Sequence, residues 1–148
     1  MERDQVITLN PVSHPDRRVR QVGFGLTDPY VEQCWSAVVG PSTTLLLRRL
    51  PELWREHQPA QIEASELGRS LGLSASMAKH SPLAYTLGRL VRFRFARPVG
   101  QQRDNLDVFV EVAPLMAHQL AKVPQWTRNA HDRLLDAHLE QFDGVSEH

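Results

Sequence analysis

The stretch from Ile62 to Val112 reads IEASELGRSLGLSASMAKHSPLAYTLGRLVRFRFARPVGQQRDNLDVFVEV. It predicts a first helix over Glu63 to Leu73, which Gly72 can close in a left-handed conformation. A second helix is predicted from Ser81-Pro82, because a serine hydroxyl can cap free amides and proline suits the first helical position. Two strands around a polar loop follow. The order helix, turn, helix and β-hairpin therefore determines the expected fold.

The second helix, about residues 81–93, has an apolar face and a polar face. At about 100° per residue, the following apolar side chains share one face: Leu83, Leu87, Leu90 and Val91. Tyr85, Gly88, Arg89 and Arg92 fall on the opposite face. Arginine offers a planar fork of donors for guanine edges or phosphates, and glycine removes bulk where backbones approach closely. This polar face is a candidate DNA-reading surface, and an ordinary solvated helix face is the alternative interpretation.

The hairpin over about residues 94–112 is the candidate wing. Its predicted strands are Arg94 to Arg97 and Leu106 to Val112, and the second alternates apolar and other residues with a period of two. The polar loop between them contains Gly100 and Arg103. Arg94, Arg97 and Arg103 lie on this loop or at its base, where they could contact a sugar-phosphate backbone.

Charge is segregated along the chain although the whole is neutral. Lys plus Arg and Asp plus Glu both total 17, so any nucleic-acid surface has to be local. Residues 41–104 contain ten Lys or Arg and five Asp or Glu. From Ser70 to Arg103 there are six cations and no acid. Neutralising phosphates requires this kind of segregation.

The element order resembles the winged helix-turn-helix DNA-binding superfamily over about residues 42–113, although the Ser74 to His80 turn is longer than the customary one. The resemblance implies a mainly α fold with a small antiparallel β-hairpin, in which flanking N- and C-terminal helices surround a winged core. It also implies sequence-specific binding of duplex DNA by a transcriptional regulator, with residues 81–93 as the recognition helix. The DNA-contacting residues that it implies are Lys79, Ser81, Tyr85, Arg89, Arg92, Arg94, Arg97 and Arg103.

The remainder of the chain is interpreted as an arm and flanking helices. Residues 1–26 are expected to form a partly ordered N-terminal arm, and residues 27–148 a single winged-helix-like domain with C-terminal helices over 114–142. Helices near Pro29 to Val38 and Pro124 to Phe142 are candidates for a homodimer interface, although they could equally cover the core. Pro51 predicts a kink or break in the helix between them.

Several function classes are disfavoured. The single cysteine, Cys34, allows no intrachain disulfide, and neither a signal peptide nor an apolar run of about 20 residues is present, so a cytoplasmic protein without membrane contact is expected. No phosphate loop, nucleophile elbow or carboxylate pair indicates an enzyme or a cofactor. His131 and His138 are seven residues apart, whereas metal-binding pairs on helices are usually three or four apart, so no metal site is expected.

Two other functions stay open. The same fold can serve as a protein-protein interaction or dimerisation module without DNA binding, since a fold does not determine function. The neutral chain and the apolar region over residues 29–54 favour this alternative. A small-molecule sensor built on the scaffold would need a cavity between elements, which a sequence does not reveal.

Overall fold

The computed structural model describes residues 5–76 and 78–146, and is about 53% helical with 17% strand. Its strands are β1 (Val6–Val12), β2 (Phe24–Gly25), β3 (Ala60–Glu63), β4 (Ala96–Pro98), β5 (Asn105–Phe109) and β6 (Glu111–Val112). Its α-helices are α1 (Arg17–Val22), α2 (Ser36–Val39), α3 (Pro41–Glu56), α4 (Ala64–Ser70), α5 (Pro82–Arg92), α6 (Ala117–Leu120) and α7 (Gln125–Ser146). A π-helical segment, Val31–Trp35, precedes α2.

Backbone contacts divide the chain into two compact units. Unit 1 comprises Met1–Val12 and Arg49–Val110, and unit 2 comprises Ser13–Arg48 and Glu111–His148. The boundary falls inside α3, between Arg48 and Arg49. This grouping differs from the predicted arm over 1–26 followed by one domain over 27–148.

Unit 1 contains a mixed four-stranded sheet in the order β3-β1-β5-β4. β1 pairs antiparallel with β3 and parallel with β5, and β4 pairs antiparallel with β5. The predicted antiparallel hairpin is therefore present, but it forms one side of a larger sheet. The interpretation of the N-terminus as a partly ordered arm is wrong for β1, because Ile7 and Leu9 are fully buried in this sheet.

Helices α4 and α5 contribute buried apolar side chains to the core of unit 1. Leu67 of α4 and Leu83 and Leu90 of α5 are fully buried, and α5 contacts both α4 and β4. The predicted first helix over residues 63–73 is shorter than expected, since α4 ends at Ser70. A turn follows, in which Gly72 has the left-handed φ of 77° that its position predicted.

Unit 2 has a core of buried aromatic rings. Phe24 and Tyr30 stack with their centroids 4.1 Å apart. The Tyr30 hydroxyl accepts a hydrogen bond from the Leu115 amide at 2.8 Å and lies 2.6 Å from Nδ1 of His131. Trp35 donates from Nε1 to the carbonyl of Ala113 at 2.8 Å. These bonds satisfy the polar atoms that the rings carry into the core.

Two local predictions require correction. The predicted strand from Leu106 to Val112 is divided, because β5 belongs to the sheet of unit 1 whereas β6 pairs with β2 in unit 2. Of the kink or break predicted at Pro51, the break is absent, since α3 runs from Pro41 to Glu56. Within the described residues, no helix combines the length and the apolar character needed to cross a membrane.

Candidate nucleic-acid interface

The central element of the candidate interface is α5, whose two ends are fixed by local chemistry. Ser81 has extended backbone angles and its side chain accepts a hydrogen bond from the Ala84 amide at 3.2 Å, while Pro82 occupies the first helical position. This satisfies one of the amides left free at a helix start. After Phe93 the chain turns through Arg94, which has a left-handed φ of 64°. The helix therefore begins as the sequence predicted and leads directly into the hairpin.

The two faces of α5 differ as predicted. Its buried side chains are Leu83, Thr86, Leu87 and Leu90. Its exposed residues are Pro82, Tyr85, Gly88, Arg89 and Arg92. Positions 85, 89 and 92 are spaced by four and three residues, so they share one face of the helix. Tyr85, Arg89 and Arg92 consequently form one solvent-facing row.

Tyr85 is held by a contact that the sequence interpretation missed. Its ring centroid lies 6.1 Å from that of His80, and its hydroxyl lies 3.2 Å from His80 Nδ1, while 51% of its surface stays exposed. His80 directly precedes the capping Ser81, and Tyr85 is the fourth residue of the helix. Side chains at these two positions commonly pack together, so their spacing was the available signal.

The other basic residues that the sequence nominated as DNA contacts are exposed in unit 1. We define the basic face as Lys79, Tyr85, Arg89, Arg92, Arg94, Arg97 and Arg103, all of which are exposed. In the part of the chain that the structure describes, Lys79, Arg89, Arg94 and Arg103 make no side-chain hydrogen bond or ion pair. Arg92 lies with its guanidinium carbon 5.3 Å from the centroid of the Phe93 ring. Most of these donors are therefore available to an anionic partner.

Arg97 differs from the other cations of the basic face. Its Nε donates to Asp107 Oδ2 at 3.3 Å across the β4–β5 pair, and its guanidinium carbon lies 5.7 Å from the Phe109 ring centroid. An exposed ion pair of this kind contributes little to stability. The ion pair nevertheless reduces the positive charge that Arg97 presents to an anionic partner. Because Arg97 and Asp107 are ten residues apart in the chain, the sequence did not reveal this pair.

Ser81 is the one predicted DNA contact that is buried. Only 7% of its surface is exposed, and its hydroxyl is engaged with the Ala84 amide. The capping role that the sequence also predicted accounts for its position. We therefore leave Ser81 out of the basic face.

Unit 2 contains three residues of reactive types, His131, His138 and Cys34, and each is either hydrogen-bonded to a neighbour or buried. His131 bonds to Tyr30, and His138 Nε2 lies 2.9 Å from the carbonyl of Val22. Cys34 is fully buried, and this burial raises the pKa of its thiol to about 11. Among the described residues, no three His, Cys, Asp or Glu side chains are grouped so that they could hold a metal ion.

Neither a protein-family model, nor a curated protein sequence, nor a solved structure matches this chain.

Proposed function

We propose that this chain binds duplex DNA through α5 and the β4–β5 hairpin, as a transcriptional regulator. The exposed row formed by Tyr85, Arg89 and Arg92 is the observation that carries the proposal most strongly. A helix fits the major groove of B-DNA, and arginine forks match both guanine edges and phosphates. The absence of any Asp or Glu between Ser70 and Arg103 also supports the proposal, because no carboxylate of this segment would repel a phosphate.

The order of elements in and around unit 1 supports a winged-helix interpretation. Helix α3, β3, α4, α5, β4 and β5 follow the helix–strand–helix–helix–strand–strand order of a winged helix-turn-helix. The departure is β1, which lies between β3 and β5 in the sheet. In this interpretation α5 is the recognition helix and the β4–β5 hairpin is the wing.

Different residues of the basic face would have different roles. Tyr85, Arg89 and Arg92 face the groove, where base edges and nearby phosphates are both within reach of long side chains. The phosphate contacts are assigned to Lys79, Arg94 and Arg103, whose side chains have no partner among the described residues. Arg97 contributes less, because Asp107 already engages its guanidinium group.

The salt dependence of binding to a random-sequence duplex tests the proposal. Affinity measured by fluorescence anisotropy is expected to fall steeply as salt rises, since each neutralised phosphate contributes about 0.9 to the slope of log K against log salt. Arg89→Ala combined with Arg92→Ala is expected to lower the magnitude of that slope by roughly 2.

A matched control removes the same charge elsewhere. Arg55→Ala combined with Lys122→Ala deletes two exposed cations outside the basic face and should leave the slope nearly unchanged. An absence of binding at low salt, or an equal effect of both double variants, contradicts the proposed interface.

A second candidate function is protein-protein interaction through unit 2. Trp126 at the start of α7 is 64% exposed, and the surface of Met116 is 52% exposed. Both residue types are enriched at protein interfaces and are unusual as exposed side chains. If α7 forms a homodimer interface, Trp126→Gln converts a dimer to a monomer in light scattering coupled to gel filtration, whereas a monomeric parent chain contradicts this candidate.

A further inference from the structure

Unit 1 contains a partly enclosed cavity of about 260 Å³ between α5 and the β4–β5 hairpin. Ala84, Leu87 and Val91 of α5 line one side of it, and Leu106 of β5 lines another. Leu87 and Leu106 are almost completely buried, so these residues form an apolar floor. Ala84 and Val91 are half-buried and Pro98, which also lines the cavity, is exposed, so the apolar part of a ligand that covers these residues removes apolar surface from water, which is favourable.

The rim of the cavity has a different chemistry. Gln101, Gln102 and Arg103 lie on the hairpin loop, line the cavity and are exposed. No Asp or Glu is among the lining residues, and Arg103 makes no ion pair within the described chain. A ligand would therefore meet one uncompensated cation and two amide groups beside an apolar floor. A guanidinium fork matches a carboxylate in shape as well as in charge.

We propose that this cavity binds a small organic carboxylate, with an apolar body on the floor and its carboxylate on Arg103. The volume lies just below the usual range for ligand sites, which suits a body no larger than one aromatic ring or a short aliphatic chain. The glutamine amides can donate further hydrogen bonds to the carboxylate oxygens.

The position of the cavity also indicates how the ligand would act, and this part rests on the proposed DNA binding. Arg103 is both the cation of the cavity and a proposed phosphate contact. When its guanidinium group binds a carboxylate, fewer of its donors remain to bind a DNA phosphate. The ligand therefore weakens DNA binding. By thermodynamic linkage, DNA weakens ligand binding by the same factor.

The ligand site is tested first, without DNA, on the full chain. Phenylacetate and octanoate serve as probes and phenylacetamide as the neutral counterpart, with binding followed by amide chemical shifts. We expect phenylacetate to bind at least about tenfold more tightly than phenylacetamide, as one charge-assisted hydrogen bond predicts. The shifts should map to α5 and to residues 98–106, and Arg103→Gln should remove the preference for the carboxylate.

The cavity-filling variant Ala84→Leu should lose probe binding, whereas Ala137→Leu, at an exposed position of α7, should retain it. Both variants are first compared with the parent chain by thermal unfolding. Failure of both carboxylates to bind, or no preference of phenylacetate over phenylacetamide, overturns the site.

Competition with DNA is measured separately. The carboxylate that binds is expected to weaken duplex affinity at least about fivefold in the parent chain and in Ala137→Leu, but not in Ala84→Leu. Probe binding with unchanged DNA affinity overturns the regulatory part alone. If no duplex binds in the absence of a probe, the proposed function fails, while the result of the probe titration still decides the ligand site.

Discussion

Gly68 and Gly88 both lie within helices, but only one of them has room for a side chain. A Cβ atom added to Gly68 would lie 2.5 Å from the backbone carbonyl oxygen of Ser74. One added to Gly88 would meet no atom of the described residues within 4 Å. The first glycine is therefore required by the close approach of α4 to the following turn, whereas the second is not required by packing.

Substitution by alanine should separate these two glycines. Gly68→Ala is expected to lower the free energy of unfolding by about 1–3 kcal/mol, because a backbone atom has to move. Gly88→Ala is expected to raise it by about 0.5–1 kcal/mol, because alanine loses less entropy in a helix. Urea unfolding of the two variants measures both effects, and a destabilised Gly88→Ala would contradict the open surface at this position.

His14 should make the stability of the protein depend on pH. Burial is the main cause that lowers the pKa of this histidine, with Asp16 and Glu111 opposing it, and its Nδ1 accepts a hydrogen bond from the Asp16 amide at 3.0 Å. The unfolded chain then takes up this proton at a higher pH than the folded chain. The contribution is present above about pH 6.5, the ordinary histidine value, and is lost as pH falls through that value towards the folded pKa.

The pH dependence can be assigned with one variant. His14→Asn keeps an acceptor for the Asp16 amide but does not titrate in this range. Urea unfolding at pH 7.5 and 5.5 should show a smaller loss of stability in this variant than in the parent chain. Equal losses in the two proteins would show that His14 does not contribute.

The row on α5 could be predicted from the sequence because its cause is local. Tyr85, Arg89 and Arg92 share a face through helical periodicity alone, and all three stay exposed among the residues that the structure describes. The pairing of Arg97 with Asp107 depends on strand register, so residue types did not reveal it. Local periodicity thus predicted which side chains are exposed, but not which of them are already paired.

At the scale of elements, the N-terminus of α5 is expected to depend on the side chain of Ser81. Ser81→Ala removes the acceptor for the Ala84 amide and should cost about 0.5–2 kcal/mol of unfolding free energy. Ser81→Asp retains a capping oxygen and should recover most of that loss. Chemical unfolding followed by circular dichroism measures both, and equal losses in the two variants would contradict the capping role.

The position of β1 in the sheet could not be predicted from the sequence, because it depends on pairing with strands that are distant in the chain. Ile7 and Leu9 alternate with more polar residues as a strand requires, but β1 pairs with β5, where the partner of Leu9 is Leu106, almost a hundred residues away in the chain. Pro11 of β1 has no N–H to donate to a neighbouring strand. It lies beyond the pairing with β3, which ends at Leu9, so β1 has a free edge there that can accommodate a residue without an N–H.

The division of the second predicted strand has a similar origin. Leu106 and Val108 are buried with the expected period of two, but Phe109 is buried as well. The alternation therefore changes just before the chain passes from unit 1 to unit 2 at Val110. The sequence correctly predicted extended backbone over this segment. It did not predict that the pairing strand changes from β1 for β5 to β2 for β6, because β2 lies near Phe24, far away in the chain.

At the scale of the whole molecule, the neutral net charge conceals a local surface. The chain carries 17 basic and 17 acidic residues, yet every cation of the basic face lies in unit 1 and between Lys79 and Arg103. Phosphate binding depends on such a local field rather than on the total charge. We therefore expect duplex DNA to contact this surface and to leave the remainder of the chain largely untouched.

Mapping the backbone amide shifts of the isotopically labelled chain on addition of a random-sequence duplex tests this claim most directly. We expect the shifts to concentrate on α5, the Arg94 turn and the β4–β5 hairpin, and to diminish as salt is raised. Shifts confined to unit 2, or no shifts at low salt, would contradict it.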